Sequence, residues 1–346
     1  MPHLKDNRPR TVVVLQYAGI GDLIWHIQYF RLVADQSYDG KVTIVAQPST
    51  LTRAFIGHES WVQQVIEHDH RPRRGEKRRG RHAGLMGMWN MARELQAGGF
   101  DRIILFSGRP SRGLIAWLSR IPVRQGFGYR WLQRLFLNHG PYIPAYRGAS
   151  LAVYREASAF MVAHGYCTQP VVPALDVPAD LIGRMQQRLA RLQRPLYAFA
   201  IGTSETHKQW GVHNYAALAQ ALIDDGCGVM LSGGPAEVQL AQDILTLLPQ
   251  AYRREVETVT DLPVLGSAAA LRVADYCVGN DTGMVNVAAA VGRTTFVIIG
   301  PRPMLDHDPA RLHNIRAEKL SDISVEQVLA LLRQHRREAA RAPAVN

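Results

Sequence analysis

Residues 11–22 read TVVVLQYAGIGD. The almost continuous β-branched run from Thr11 to Gln16 is the pattern of a strand buried on both faces, and the glycines up to Gly21 end it. From Asp22 onward Leu23, Ile27 and Phe30 recur at helical spacing, and Val42 to Ala46 (VTIVA) is a second apolar run. Strand, glycine turn, helix and strand make one βαβ unit, which requires a parallel sheet.

The alternation continues outward from that unit. A helix at Met86 to Gln96, a strand at Arg102 to Phe106 and a helix at Tyr154 to His164 lead to Pro170, Pro173 and Pro178, where the spacing predicts a domain boundary. The expected domains are residues 1–177 and 178–346. The second half repeats the pattern with strands at Leu196 to Ile201, Val229 to Ser232, Val256 to Val259, Asp275 to Val278 and Thr295 to Ile299, separated by helical stretches. A last helix, Val325 to Arg337, lies past any sheet and is free to pack back on the N-terminal domain. The fold class is therefore α/β, two Rossmann-like domains with parallel sheets facing across a cleft, and ligands are expected at the carboxyl ends of the strands.

Composition narrows the function. The 346 residues are 47% hydrophobic and 20% charged, which excludes a disordered or fibrous chain. The net charge is +11, and residues 71–81 (RPRRGEKRRGR) hold seven positive charges and one negative. So local a surplus points to one anionic partner, and with no nucleic-acid module or aromatic-interleaved basic stripe evident, that partner is not nucleic acid. Cys167, Cys227 and Cys277 form no CxxC, which fits a reducing compartment and offers no zinc site. The apolar run Val12 to Leu15 is far too short for a secretory or membrane-spanning segment, so a cytoplasmic location is expected.

Three loops could carry chemistry. Gly19 to Asp22 joins the first strand to a helix, with backbone N–H groups facing the ligand space. A dinucleotide fingerprint is incomplete there, because Ile24 occupies the third glycine position and Gln47, not an acid, ends the second strand. Asp22 reads either as a helix N-cap or as a general base. Gly202 to Trp210 (GTSETHKQW) combines hydroxyls with Lys208, a loop for phosphate oxygens or a solvated turn. Gly279 to Gly283 (GNDTG) opens a small-residue helix, a phosphate cradle or a capped tight turn. Two acidic spellings, Asp306-His307-Asp308 and His68-Asp69-His70, sit badly for a metal: the first follows its strand by a proline turn, and the second abuts the basic run.

Taken in order, GIGD, GT-x(n)-K-x-W, GGP followed by an acid, GNDTG with its alanine-rich helix, and IGP resemble glycosyltransferase family 9, the ADP-heptose:lipopolysaccharide heptosyltransferases and their relatives. The resemblance runs from about Val12 to Pro301 and implies a GT-B fold. It also implies inverting, metal-independent transfer of a heptose or related sugar from an ADP-sugar to an anionic lipopolysaccharide core acceptor at the cytoplasmic face of the inner membrane, where peripheral contact is possible, with no cofactor beyond the donor. It places the catalytic base at Asp22 beside Gly21, and donor contacts at Thr203, Ser204, Lys208, Glu237, Asp281, Thr282, Gly283 and Asn286. Lys208 counts there as catalytic too, since it steadies the leaving phosphates.

The chain departs from the family pattern at Asn286 (usually His), Ile201 and Gly211 (usually Pro) and Arg302-Pro303-Met304 (commonly Thr-Asp-Pro). Arg73, Arg74, Arg78 and Arg79 of the basic run are the expected acceptor contacts, with a solvated loop as the alternative. Two other functions remain at this point: another GT-B nucleotide-sugar enzyme such as an epimerase, or a non-catalytic nucleotide-sugar-binding protein.

Overall fold

The computed structural model describes residues 6–70, 78–203 and 205–341. The chain divides into two compact units, residues 1–173 and 174–346, at the proline-rich stretch.

In the N-terminal unit the elements run β1 (Thr11–Leu15), α1 (Ile20–Asp35), β2 (Val42–Ala46), α2 (Thr52–Ile56), β3 (Val62–Glu67), α3 (Gly84–Ala97), β4 (Arg102–Phe106), α4 (Pro110–Leu118), β5 (Val123–Gly126), α5 (Trp131–Arg134) and α6 (Ala152–Ala163). The strands form one parallel sheet in the order β3-β2-β1-β4-β5. β1 and β2 are buried at every position, as their unbroken apolar runs require. Met91, Ala92 and Leu95 of α3 and Ile115 and Ala116 of α4 pack with Val12, Val14, Ile103 and Leu105 on one face.

In the C-terminal unit the order is α7 (Ala179–Leu189), β6 (Leu196–Ala200), α8 (Val212–Asp224), β7 (Gly228–Ser232), α9 (Val238–Leu247), β8 (Val256–Val259), α10 (Val264–Val273), β9 (Tyr276–Asn280), α11 (Gly283–Ala290), β10 (Thr294–Ile298), β11 (Leu312–Ile315) and α12 (Val325–Arg341). This sheet is also parallel, in the order β11-β10-β9-β6-β7-β8. The final helix, offered above to the N-terminal domain, buries Val328 and Leu332 in the core of its own unit, and its Arg333 makes a two-pronged bond to Asp225 at 2.7 Å on each side.

Each sheet reverses direction once. The chain builds β1, β2 and β3 outward, then returns to lay β4 beside β1; in the second unit β9 is laid beside β6. At such a reversal the two adjacent loops leave in opposite directions and open a crevice at the carboxyl ends of the strands. In the C-terminal unit this juncture is tight. A Cβ on Gly279 would lie 2.6 Å from the Ala200 Cβ and 2.7 Å from its carbonyl oxygen, so only glycine lets β9 approach β6 at this register. Gly279→Ala should therefore cost about 1–3 kcal/mol of stability by overpacking. Denaturant unfolding checks this, and a midpoint equal to wild type would contradict it.

Candidate functional site

The N-terminal crevice is laced by amides. Gln47 Nε2 donates to the Gln16 carbonyl at 2.6 Å, Ser107 donates to the Gln16 side chain, and Gln133 Nε2 donates to the Ser107 carbonyl at 2.6 Å. These bonds hold the ends of β1, β2 and β4 in one frame.

Asp22 stands on the first turn of α1. The helix begins at Ile20, two residues before the start read from the sequence, so Gly19 is the N-cap and Asp22 occupies the third helical position. The N-cap reading of Asp22 is thus corrected: its carboxylate reaches back to accept from the Gly19 N–H at 2.9 Å. That bond and the helix N-terminus favour the charged form, but burial outweighs them, and the carboxyl is pushed up to about 6. One turn on, the fully buried His26 donates from Nδ1 to the Asp22 carbonyl at 2.6 Å, and burial drives its own value down to about 4, so the ring is neutral. Phe106 meets that ring edge-on at 5.0 Å, which fixes the turn carrying Asp22.

Around Tyr17, which follows β1, the ionisable neighbours are Asp22, Glu156, Tyr129 and Arg109. Glu156 of α6 is buried, accepts from the Tyr146 N–H at 3.3 Å and is raised above the usual carboxylate range by burial. Beside Tyr129 an open hollow of about 480 Å³ is lined by Arg134, Tyr142 and Arg147. None of Glu156, Arg109 or His26 was singled out from sequence; each lies outside any loop motif and reaches the crevice only through the topology.

Of the basic run, Arg73 and Arg74 lie outside the described residues, as does Ser204. Arg78 bonds the Asp69 carboxylate at 2.5 Å, and the Arg81 N–H donates to the same oxygen at 3.1 Å. Arg78, itself exposed, therefore anchors the end of the run, and Arg79 beside it is exposed too. In the same knot His68 Nε2 faces the Arg112 guanidinium at 3.1 Å, which with burial holds that imidazole neutral. Asp308 of the other acidic spelling pairs with Arg311 at 3.1 Å.

In the C-terminal unit a cavity of about 120 Å³ is lined by Lys208, Asp281, Ile298 and Arg302 among others. Lys208, with little of its side chain exposed, pairs with Glu205 at 2.7 Å, and Asp281 pairs with Arg302 at 2.8 Å. The Arg302 departure therefore brings a second cation to the cavity. Thr282 caps α11 by accepting from the Met284 N–H at 3.2 Å, so the helix N-terminus begins at Gly283 beside Asp281. Asn286 is buried and donates to the Thr282 carbonyl at 3.0 Å, fixing the same turn. Thr203 spends its hydroxyl on a local turn with Glu205. Glu237 accepts from the Gly234 N–H at 2.7 Å and lies against Gly202, at the mouth of the same crevice.

Asn280 joins the two phosphate-type loops, and its role is invisible in the motif. Fully buried, it accepts from the Trp210 N–H at 3.0 Å and donates to the Ile201 carbonyl at 2.9 Å, with a further bond to Gln209. Trp210 anchors the far end through Nε1 to the Ile323 carbonyl at 2.8 Å. Gly211 then turns at φ 108°, a value closed to proline, which explains why proline is absent there.

The sequence profile described as Glycosyltransferase family 9 (heptosyltransferase) matches residues 88–319, two thirds of the chain. The chain belongs to glycosyltransferase family 9. Within the family it is 34% identical over 134 residues to lipopolysaccharide heptosyltransferase 2 of Escherichia coli K12, a match that spans 37% of each protein. The fold likeness extends further. The structure of E. coli ADP-heptose lipopolysaccharide heptosyltransferase II aligns with a TM-score of 0.72 at 18% identity, covering 94% of this chain and 98% of that one. The E. coli heptosyltransferase WaaC, solved with ADP, aligns at 0.67 with 21% identity, covering 96% of this chain and all of that one. The GT-B class of two Rossmann-like units is thus the fold of this family 9 chain, and no helix among its described residues is long and apolar enough to cross a membrane.

Replacing Asn280 with Ala should free residues 201–210 without unfolding the unit. Removing about 1.4 kcal/mol of local hydrogen bonding should raise amide exchange there roughly tenfold. Unchanged protection of those amides, read by mass spectrometry, would contradict the role given to Asn280.

Proposed function

We propose that this family 9 chain is an inverting, metal-independent glycosyltransferase that moves a heptose or related sugar from an ADP-sugar to an anionic lipopolysaccharide core acceptor. The observation that carries the proposal is that Lys208, Arg302 and Asp281 line one cavity, with α11 beginning two residues after Asp281. Two cations and a helix dipole suit a diphosphate leaving group. The likeness to heptosyltransferases, one of them solved with ADP, supports ADP as the nucleotide.

In this reading Lys208 exchanges its Glu205 partner for donor phosphate, and Thr203 and Gly283 line the diphosphate path. Glu237 and Asp281 hold the nucleoside and sugar hydroxyls. Asp22 takes the proton from the acceptor hydroxyl as its oxygen bonds to the anomeric carbon; the bond from that carbon to phosphate breaks, ADP leaves with the electron pair, and the anomeric centre inverts. A carboxyl raised to about 6 is a better base than an ordinary aspartate and is still ionised near neutrality. Because the cations come from Lys208 and Arg302, no metal is required, and full activity in EDTA is expected; loss restored by magnesium or manganese would contradict it. An acceptor of this class is lipid-anchored, so a cytoplasmic enzyme in peripheral contact with the inner membrane belongs to the same proposal.

Asp22→Asn should lower turnover by about 10²–10⁴-fold while leaving ADP binding intact. In the wild type the working form is the carboxylate, so kcat/KM should rise with pH through about 6 and level off above it. A profile flat down to pH 4, or near-normal turnover by Asp22→Asn, would overturn the base assignment. Sugar turnover without any acceptor would favour the epimerase, and ADP-sugar binding with no turnover at all the binding protein.

A further inference from the structure

The six tryptophans divide into two classes. Trp25, Trp61 and Trp210 are buried, whereas Trp89, Trp117 and Trp131 are exposed, the last by 72%. All three exposed rings lie on α3, α4 and α5, which pack side by side: Gly113 of α4 closes on Gln133 and Phe136, and the Trp117 and Phe136 rings lie 6.4 Å apart. The same helices expose Leu85 by 83%, Met86 and Leu132, and Leu135 just after α5 is exposed too. Folded proteins do not gather large apolar side chains outward on adjacent helices without a partner for them.

Charge identifies the partner. Residues 78–147, which include this layer, contain twelve arginines and only two acids, Glu94 and Asp101; Arg102 and Arg124 belong to β4 and β5, Arg112 is buried, and Arg78 pairs with Asp69. The segment's net of +10 is nearly the whole excess of the chain. Arg93, Arg120, Arg130 and Arg134 are exposed among or beside the tryptophans. Indole rings and leucines seat at the boundary of headgroups and acyl chains, while arginines meet anionic headgroups, each worth about 1 kcal/mol near such a surface. A nucleic-acid surface would use the arginines but leave the leucines and methionine in water.

We infer that the α3–α5 face docks on an anionic phospholipid bilayer. α3 starts after the carboxyl end of β3 and α5 after that of β5, so the docked face borders the edge of the sheet that carries Asp22. The inference names the surface for the membrane contact included in the proposed function and in that respect rests on it; it needs no step of the reaction, and a lipid-borne acceptor would meet the site from this side.

The test is cosedimentation with phosphatidylcholine vesicles, with and without about a third phosphatidylglycerol. Binding should require the anionic lipid, weaken with salt and be accompanied by a blue shift of tryptophan emission. The variants Leu85→Ser/Met86→Ser/Trp89→Ser and Trp131→Ser/Leu132→Ser/Leu135→Ser should each lose at least about tenfold in vesicle affinity. Their thermal midpoints, and their kcat on a water-soluble acceptor fragment, should match wild type. Equal vesicle binding by wild type and variants, no binding to anionic vesicles, or a stable wild-type dimer that the serine variants dissociate would each overturn the inference. Loss of transfer with vesicle binding intact would count against the proposed reaction only.

Discussion

The arrangement in the C-terminal unit depends on one buried amide. Asn280 ends β9 at the point where the sheet reverses, and its two polar ends bond to the backbone on both sides of the loop that leaves β6. A primary amide is the side chain that donates and accepts at once without charge, as this position demands in a core that excludes water. The contact exists only because Gly279 lets the two strands close. Through it, the loop bearing Lys208 and the helix start bearing Asp281 become one rigid cradle.

The N-terminal unit solves a different problem at the equivalent reversal. There a carboxyl sits at a helix N-terminus, whose dipole favours its charged form. Burial settles the competition: removal from water raises Asp22 more than the Gly19 N–H lowers it. His26 contributes by remaining neutral in its aromatic pocket, so that it orients the turn without adding a positive charge that would undo the shift.

Much of the fold was legible because its central strands are buried on both faces and write themselves as apolar runs; β1, β2, β4, β6 and β10 fall within a residue of where those runs lie. The strands missed are β3, β5 and β11, and all three are sheet edges. Their sequences, VQQVIE, VRQG and LHNI, are short or half polar and so write no apolar run. Among the candidate residues, the motif loops named Asp22, Lys208 and Asp281. They did not reveal Asn280, Glu156 or Arg302 as partners, since a side chain that braces a loop from another strand has no local signature. The +11 of the composition likewise looked like a property of one arginine-rich loop, whereas residues 78–147 alone carry a net +10, spread over strands, loops and helices.

The central claim is that the C-terminal cradle binds a nucleoside diphosphate through Lys208. Calorimetric titration with ADP tests it most directly, on wild type, Lys208→Ala and Asp22→Asn. One site per chain is expected in wild type, competed by inorganic diphosphate, weakened at least about tenfold in Lys208→Ala and unchanged in Asp22→Asn. ADP binding that survives Lys208→Ala undiminished, or is absent from the wild type, would contradict the account.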